Sequence, residues 1–286
     1  MALILGLIGM VMFAGTLPAT RMSLDGFSPT LIAVGRAFVG GILSIVLLAV
    51  TRQPIPAWRD VPTIALIAAC VIIGFPLFTG LAMVHVPASH GSVVLAILPL
   101  ATAVAAALVG GERPGRSFWM LSVLGGAIVL YFSLSDAGWA LQWGDAFLLV
   151  GSAVAALGYA LAGRLSRRVP GWTIISWALI LMLPITTVAT FLSLPETLPT
   201  SGVVWGAFLY LGVFSMFLGF LFWNWAMSLG GIAKIGQLQL IQPFLTILIA
   251  AVIGGEALEP HLILFATLVV AVVGAAQRVK VARGRG

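Results

Sequence analysis

Few side chains in this chain could do chemistry, and most of them stand alone in apolar surroundings. The stretch 233–253 is the exception, with Lys234, Gln237, Gln239 and Gln242. On one α-helix, at about 100° per residue, Gln239 and Gln242 lie about 60° apart and share a face. Two amides so placed either line a cavity and bind a polar ligand, or tie neighbouring helices together. Arg36 is the one charge well inside an apolar stretch. Counted from Pro29 it is about 10 Å deep at 1.5 Å per residue. Exposed to lipid it would cost about 3 kcal/mol, so it must face protein or a wet cavity, or snorkel outward. A structural tie from the guanidinium to neighbouring carbonyls is the reading adopted, with a substrate carboxylate as the alternative.

Histidine adds little by itself. His90 opens an apolar stretch and reads as an interfacial anchor before it reads as a ligand. His85 and His90 are separated by Pro87, which breaks a common helical face, so no metal pair is expected. His261 stands at a helix start and is expected to meet water. Among aromatic and amide groups, Phe78, Tyr159, Trp177, Tyr210, Trp223 and Asn224 lie away from the ends of apolar stretches. Packing is their default role. A cavity for substrates of several sizes would also use aromatic and thioether walls, which Phe78, Met83 and Met227 would supply. The candidate substrate cavity is therefore Gln239, Gln242, Asn224, Tyr159, Phe78, Met83, His90 and Trp223, with Arg36 as a structural charge.

Other chemistries lack their residues. All eight acids lie at helix ends or in loops, and there is no His-Glu-x-x-His, P-loop or intramembrane Asp pair. No catalytic group, metal or cofactor is expected. Nor is there an embedded carboxylate of the kind that relays protons in coupled exporters.

The elements that position these groups are set by hydropathy. Of 286 residues, 61% are hydrophobic and 8% charged, where soluble domains carry about 25% charged residues. The chain reads as an all-α integral membrane protein. Cys70 is its single cysteine, so no disulfide can form within it, and it reads as a small apolar filler. The net charge of +6 suggests nucleic acid, but the basic residues cluster at the ends of apolar stretches and read as topology signals. The apolar start lacks a basic leader and a small-residue cleavage site, and reads as a retained helix. Trp58, Trp119, Trp139, Trp143, Trp172 and Trp205 fall at helix ends, as an interfacial belt would.

Stretches long enough to span a bilayer, about 20 residues each, cover 2–20, 30–51, 61–84, 87–110, 117–134, 145–164, 173–194, 203–228, 233–253 and 261–279. Ten helices are expected. Residues 82–112 and 226–256 align without a gap at an offset of 144, with ten of 31 positions identical. Pro99 matches Pro243, and Gly110, Gly111 and Glu112 match Gly254, Gly255 and Glu256. The two polar amides face Leu95 and Leu98 in this register, and Lys234 faces His90. Pro99 and Pro243 are hinge candidates, with a static kink as the alternative reading.

With the N-terminus inside, twelve Lys and Arg residues fall at inner ends and only Arg21 at an outer one. Both termini are then cytoplasmic. Five helices per half is an odd number, so the halves, 1–135 and 144–280, insert upside down relative to each other. An inverted repeat of this kind places a substrate site near the bilayer midplane and suits alternating access.

These motifs resemble a known family. The paired mid-helix proline and terminal Gly-Gly-Glu look like the EamA repeat of the drug/metabolite transporter superfamily. Gly35, Arg36, Ala37 and Phe38 resemble the arginine-aromatic signature of its second helix. Gly144, Asp145, Ala146 and Phe147, followed by Tyr159 and the arginines 164, 167 and 168, resemble the opening of its sixth. Within the family the chain is most similar to YddG-type amino-acid exporters. The resemblance implies a cavity lined by helices 1, 3, 4, 6, 8 and 9. It also implies a monomeric carrier in a bacterial inner membrane, exporting amino acids and related metabolites. Its partners are then the substrate and the lipid bilayer, and no nucleic acid. Carriers for nucleotide sugars or drug-like cations are the alternative.

Overall fold

The computed structural model describes residues 1–110, 112–113, 115–136, 142–166, 168–230, 237–278 and 282–283. Seven of its helices are long and apolar enough to cross a membrane: α1 (Ala2–Ser23), α2 (Pro29–Val50), α3 (Trp58–His85), α4 (Ala88–Val109), α6 (Trp143–Leu165), α7 (Gly171–Leu192) and α8 (Gly202–Ala226). Between and after them lie α5 (Arg116–Asp136), α9 (Gln242–Val252) and α10 (Pro260–Arg278). Their apolar stretches are shorter: Trp119–Val129, Gln242–Val252 and Pro260–Val272. The strand pairing among the described residues is two residues long, joining Glu112 to Arg283 and Arg113 to Ala282.

The outward faces of the helices are apolar. Val46, Val123, Ile185, Phe191 and Leu248 are all exposed. In water such a surface would be unfavourable, whereas against hydrocarbon it is the expected one. Inside, two large cores divide the protein. Met83, Val93, Phe132, Leu148 and Ile247 centre one, at the crossing of α4, α5, α6 and α9. Met10, Phe13, Ile72, Ile174 and Trp223 centre the other, among α1, α3, α7 and α8.

Helix contacts follow the register of the repeat. α2 packs along α7, α5 along α10, and the first part of α4 against α9. α1 packs on α8 just as α6 packs on α3. Glycine permits the closest of these approaches. A Cβ on Gly158 of α6 would stand 2.4 Å from Cγ2 of Val71 and 3.0 Å from Cβ of Cys70 in α3.

Several helices are interrupted, each where backbone bonding is lost. Gly15 divides α1 into Ala2–Ala14 and Thr16–Ser23. Pro18 has no N–H for the carbonyl of Ala14, and the hydroxyl of Thr246 on α9 donates to that carbonyl at 2.9 Å. Tyr210 of α8 donates to the Met12 carbonyl in the same turn at 2.8 Å. α4 was expected to run unbroken, but it consists of Ala88–Leu95 and Leu98–Gly110, with Pro99 in the first turn of the second piece. α9 repeats this pattern. A 3₁₀ turn over Gln237–Ile241 leads into α9, and Pro243 stands in its first turn. The prolines thus start helical pieces, where a missing N–H costs nothing, instead of kinking continuous helices.

Two wide turns of π-helix were not foreseen. They cover Ala68–Gly74 in α3 and Leu211–Gly219 in α8, and shifting the first by 144 residues lays it inside the second. Pro76 follows the first of them, but nothing similar follows the second, so no sequence signal marks the pair.

Candidate functional site

The two amides singled out in the sequence line one narrow cleft. Gln239 and Gln242 meet Ser92, Leu95, Leu98, Pro243 and Thr246 there. Gln239 lies in the 3₁₀ turn and Gln242 opens α9, so the α-helical spacing assumed for them does not apply. They still line the same cleft, at the point where the 3₁₀ turn runs into α9. Leu95 and Leu98, their partners in the repeat, face them across the same cleft. The cleft therefore has two amides on one side, and two leucines with Ser92 on the other. Ser92 donates to the carbonyl of Ser89 at 2.6 Å and reaches that of Pro243 at 3.4 Å, which ties the two breaks together.

A second cleft lies between α3, α6, α7 and α8, lined by Val71, Tyr159, Ile174, Phe220, Trp223 and Asn224. Asn224 donates its amide N–H to the Phe220 carbonyl at 2.8 Å. This leaves its side-chain oxygen as an acceptor. Trp223 is largely buried and meets Phe13 edge-on at 6.0 Å, so it is as much core as wall. Including the space open to solvent, the two clefts hold about 380 and 290 Å³.

The remaining candidates lie elsewhere. Met83 is fully buried in a core, and its carbonyl accepts a hydrogen bond from Arg21. Phe78 packs against Gly151 and Phe147 on α6. Neither lines either of these two clefts. Met227 has no described side chain, and Lys234 lies outside the described residues.

His90 is buried within the protein. It is 2% exposed, its ring tilted against that of Phe132 at 4.7 Å between centroids, and its Nε2 lies 2.7 Å from Oδ1 of Asp145, which is 1% exposed. In sequence Asp145 is an acid near a helix end. In the fold it is buried, because α6 starts beneath the turn joining α3 to α4. His261 likewise meets more than water, with Nδ1 3.1 Å from Glu259 and its ring 6.3 Å from Phe132.

Glu256 stands at the same end. Its carboxylate accepts the backbone N–H of Ala88 at 2.8 Å and of Ser89 at 2.9 Å, at the start of α4. Gly255 makes this possible. Its φ of +70° turns the chain after α9 and returns the N–H of Glu256 to Ala250. The positive φ suits glycine, and the negative charge suits a helix N-terminus. Half of the repeated Gly-Gly-Glu thus has a concrete task. Gly111 lies outside the described residues, as does the side chain of Glu112. At the opposite end Arg168 pairs with the buried Asp60 at 3.4 Å.

Arg36 is 3% exposed. It donates to Oγ of Ser215 at 2.7 Å, and the hydroxyls of Ser215 and Thr16 share a hydrogen bond of 2.8 Å. This chain of contacts joins α2, α8 and the break in α1. The sequence had suggested backbone carbonyls as partners, but the described partner is a hydroxyl.

Replacing both Gln239 and Gln242 with alanine should lower substrate flux several-fold and leave stability within about 1 kcal/mol, since buried polar contacts in membranes average less than that. Flux per folded molecule in vesicles, beside a thermal melt, separates the two effects. Equal loss of folding and flux would make the amides structural.

Comparison with known proteins agrees with this architecture. The model of the EamA-like transporter family matches residues 1–134 and again residues 142–276. The chain is 43% identical to "Uncharacterized transporter YdeK" of Bacillus subtilis over 274 residues, 96% of each protein. It is 27% identical to the "Probable terminal-alkyne amino-acid exporter" of Streptantibioticus cattleyicolor, over 87% of this chain and 84% of that one. One solved crystal structure superposes with a TM-score of 0.69 at 18% identity, covering 98% of this chain and 99% of the other, and so shares the fold.

Proposed function

Because the chain belongs to the EamA-like transporter family, we propose that it exports amino acids, aromatic and other neutral ones, together with related small metabolites. It is a transporter and a multi-pass helical membrane protein. The finer reading is alternating access between two inverted five-helix halves, 1–135 and 144–280, working as a monomer in a bacterial inner membrane. The observation that carries this reading is the cleft where Gln239 and Gln242 meet Leu95 and Leu98. Broken helices from both halves converge there, as they do at the midplane sites of inverted-repeat carriers. The matched π-helical turns and the pairing of α2 with α7 and α5 with α10 support the same symmetry. The similarity to an amino-acid exporter supports the substrate class.

Ten spans with both termini inside make a direct expectation. Reporter proteins fused after Arg168 and after Arg285 should both read cytoplasmic, and one after Ser135 periplasmic. A periplasmic signal at Arg285 would end the inverted-repeat reading.

Export is proposed to be uncoupled, its net direction set by the amino-acid gradient. Gln239, Gln242 and Asn224 do not titrate, and Arg36 holds its proton. The buried His90–Asp145 pair favours a second reading, a proton-coupled carrier of another metabolite class such as nucleotide sugars or drug-like cations. Sealed liposomes and a panel of labelled amino acids separate the two. Uncoupled export gives flux and counterflow from an amino-acid gradient at equal pH, and a pH difference drives no accumulation. Several-fold accumulation driven by that pH difference would instead establish coupling. Flux of other metabolites but of no amino acid would overturn the substrate class.

A further inference from the structure

A guanidinium carries five N–H donors and a full charge, yet among the described residues Arg36 bonds only to the neutral hydroxyl of Ser215. Its Nε is buried and has no hydrogen-bond partner. The described acids are engaged elsewhere or lie at the surface. Asp60 pairs with Arg168, Asp145 with His90 and Glu259 with His261. Glu256 caps α4, and Asp25 and Glu196 are exposed. A buried charge without a counter-charge costs several kcal/mol, which is why buried charges are nearly always paired.

Ser215, which accepts the hydrogen bond from Arg36, stands five residues before Phe220, a wall of the second cleft, on the same helix. The phenol groups of Tyr159 and Tyr210 lie within electrostatic reach of the guanidinium. Tyr159 in turn lines the cleft with Ile174, Phe220, Trp223 and Asn224. That cleft is apolar along most of its length, with a tyrosine backed by a cation on one flank. An elongated ligand with an apolar body and an anionic head matches this polarity.

We propose that Arg36 anchors a carboxylate, and that the ligand is a small organic acid whose apolar tail lies along Trp223 and Phe220. A carboxylate fits the fork of a guanidinium through two parallel hydrogen bonds, and supplies the missing counter-charge. The site deepens the export reading, on which its identification with an amino-acid site rests, because an α-amino acid carries such a head. Its ammonium would then have the side-chain oxygen of Asn224 to meet.

The test uses the full chain purified in detergent and three probes with the same ring: L-phenylalanine, its amide, and 3-phenylpropionate. Binding is read from tryptophan fluorescence and from the shift of the thermal unfolding midpoint. Both acids should bind at least ten-fold more tightly than the amide. Arg36→Gln and Arg36→Lys should each weaken acid binding ten-fold or more and leave the weak amide binding unchanged. Ser215→Ala keeps the charge and removes its neighbour, so acid binding should stay within about three-fold. This variant and the native acid-against-amide comparison decide the matter even if the Arg36 variants fail to fold. Equal affinity of acid and amide for the native protein overturns the site, as does undiminished acid binding in Arg36→Gln, or no binding of either acid. If 3-phenylpropionate binds through Arg36 and phenylalanine does not, the carboxylate site stands and the amino-acid reading falls.

Discussion

Substitution of His90 with alanine is expected to destabilise the protein by about 3 kcal/mol, the largest loss from any single replacement discussed above. The imidazole is the described partner of Oδ1 of Asp145, and Oδ2 of the same carboxylate is already buried without a bond. Removing the histidine leaves a wholly buried carboxylate unsatisfied, and breaking one side of such a pair costs about 3–5 kcal/mol. Loss of the contact with Phe132 adds to this. Asp145→Asn should cost less, about 1 kcal/mol, because an amide can still hydrogen-bond the imidazole. Unfolding in detergent, followed by denaturant titration, measures both. Equal costs for the two variants, or a His90→Ala cost below 1 kcal/mol, would show that the pair is not a structural unit. The Asp145→Asn variant, being the milder, is also the one to carry into the pH-gradient experiment.

Removal of the Glu256 carboxylate is expected to act on conformation more than on folding. Two backbone N–H groups at the start of α4 end on this side chain, which lies 168 and 167 residues further along the sequence. Hydrogen bonds to a charged group contribute about 1.5–3 kcal/mol, and the helix N-terminus adds a favourable dipole. With Glu256→Ala, the arrangement in which this end of α9 is tied to the start of α4 should lose about 2 kcal/mol, a factor of about 30 in its population ratio. A cysteine placed at Ser89, in a background with Cys70 replaced by alanine, reports this directly. Its labelling by a membrane-impermeant thiol reagent should rise at least ten-fold when Glu256 becomes alanine, and much less when it becomes glutamine. Unchanged labelling would mean that the contact caps a helix without holding an end shut.

Much of the architecture is readable without coordinates because its causes are local or periodic. A bilayer demands apolar stretches of a certain length, and seven of those read from hydropathy appear as long apolar helices. Position in the aligned repeat is likewise a property of the chain alone, which is why Pro99 and Pro243 could be paired before their helical breaks were known. Membership of the EamA-like family follows from the same motifs. Charge segregation determined the expected orientation, since arginine and lysine act on insertion one loop at a time.

Tertiary structure alone decided what each polar group meets. Sequence shows Asp145 at the start of an apolar stretch and His90 three residues after a proline, 55 positions apart, and nothing local indicates that α6 starts beneath the turn where α4 begins. The reach of Glu256 to Ala88 and Ser89, 168 and 167 residues away, is set by a left-handed glycine and by the packing of α4 on α9. Arg36 was legible as a charge that must be satisfied, but Ser215, its partner, is 179 residues distant. The π-helical turns escaped because they arise where backbone bonding adapts to neighbouring helices, and hydropathy carries no record of that adaptation. Gln239 and Gln242 show both sides. Their shared face was expected from an α-helical spacing that the chain does not adopt there, and the two amides line one cleft because the 3₁₀ turn that carries Gln239 runs directly into α9 at Gln242.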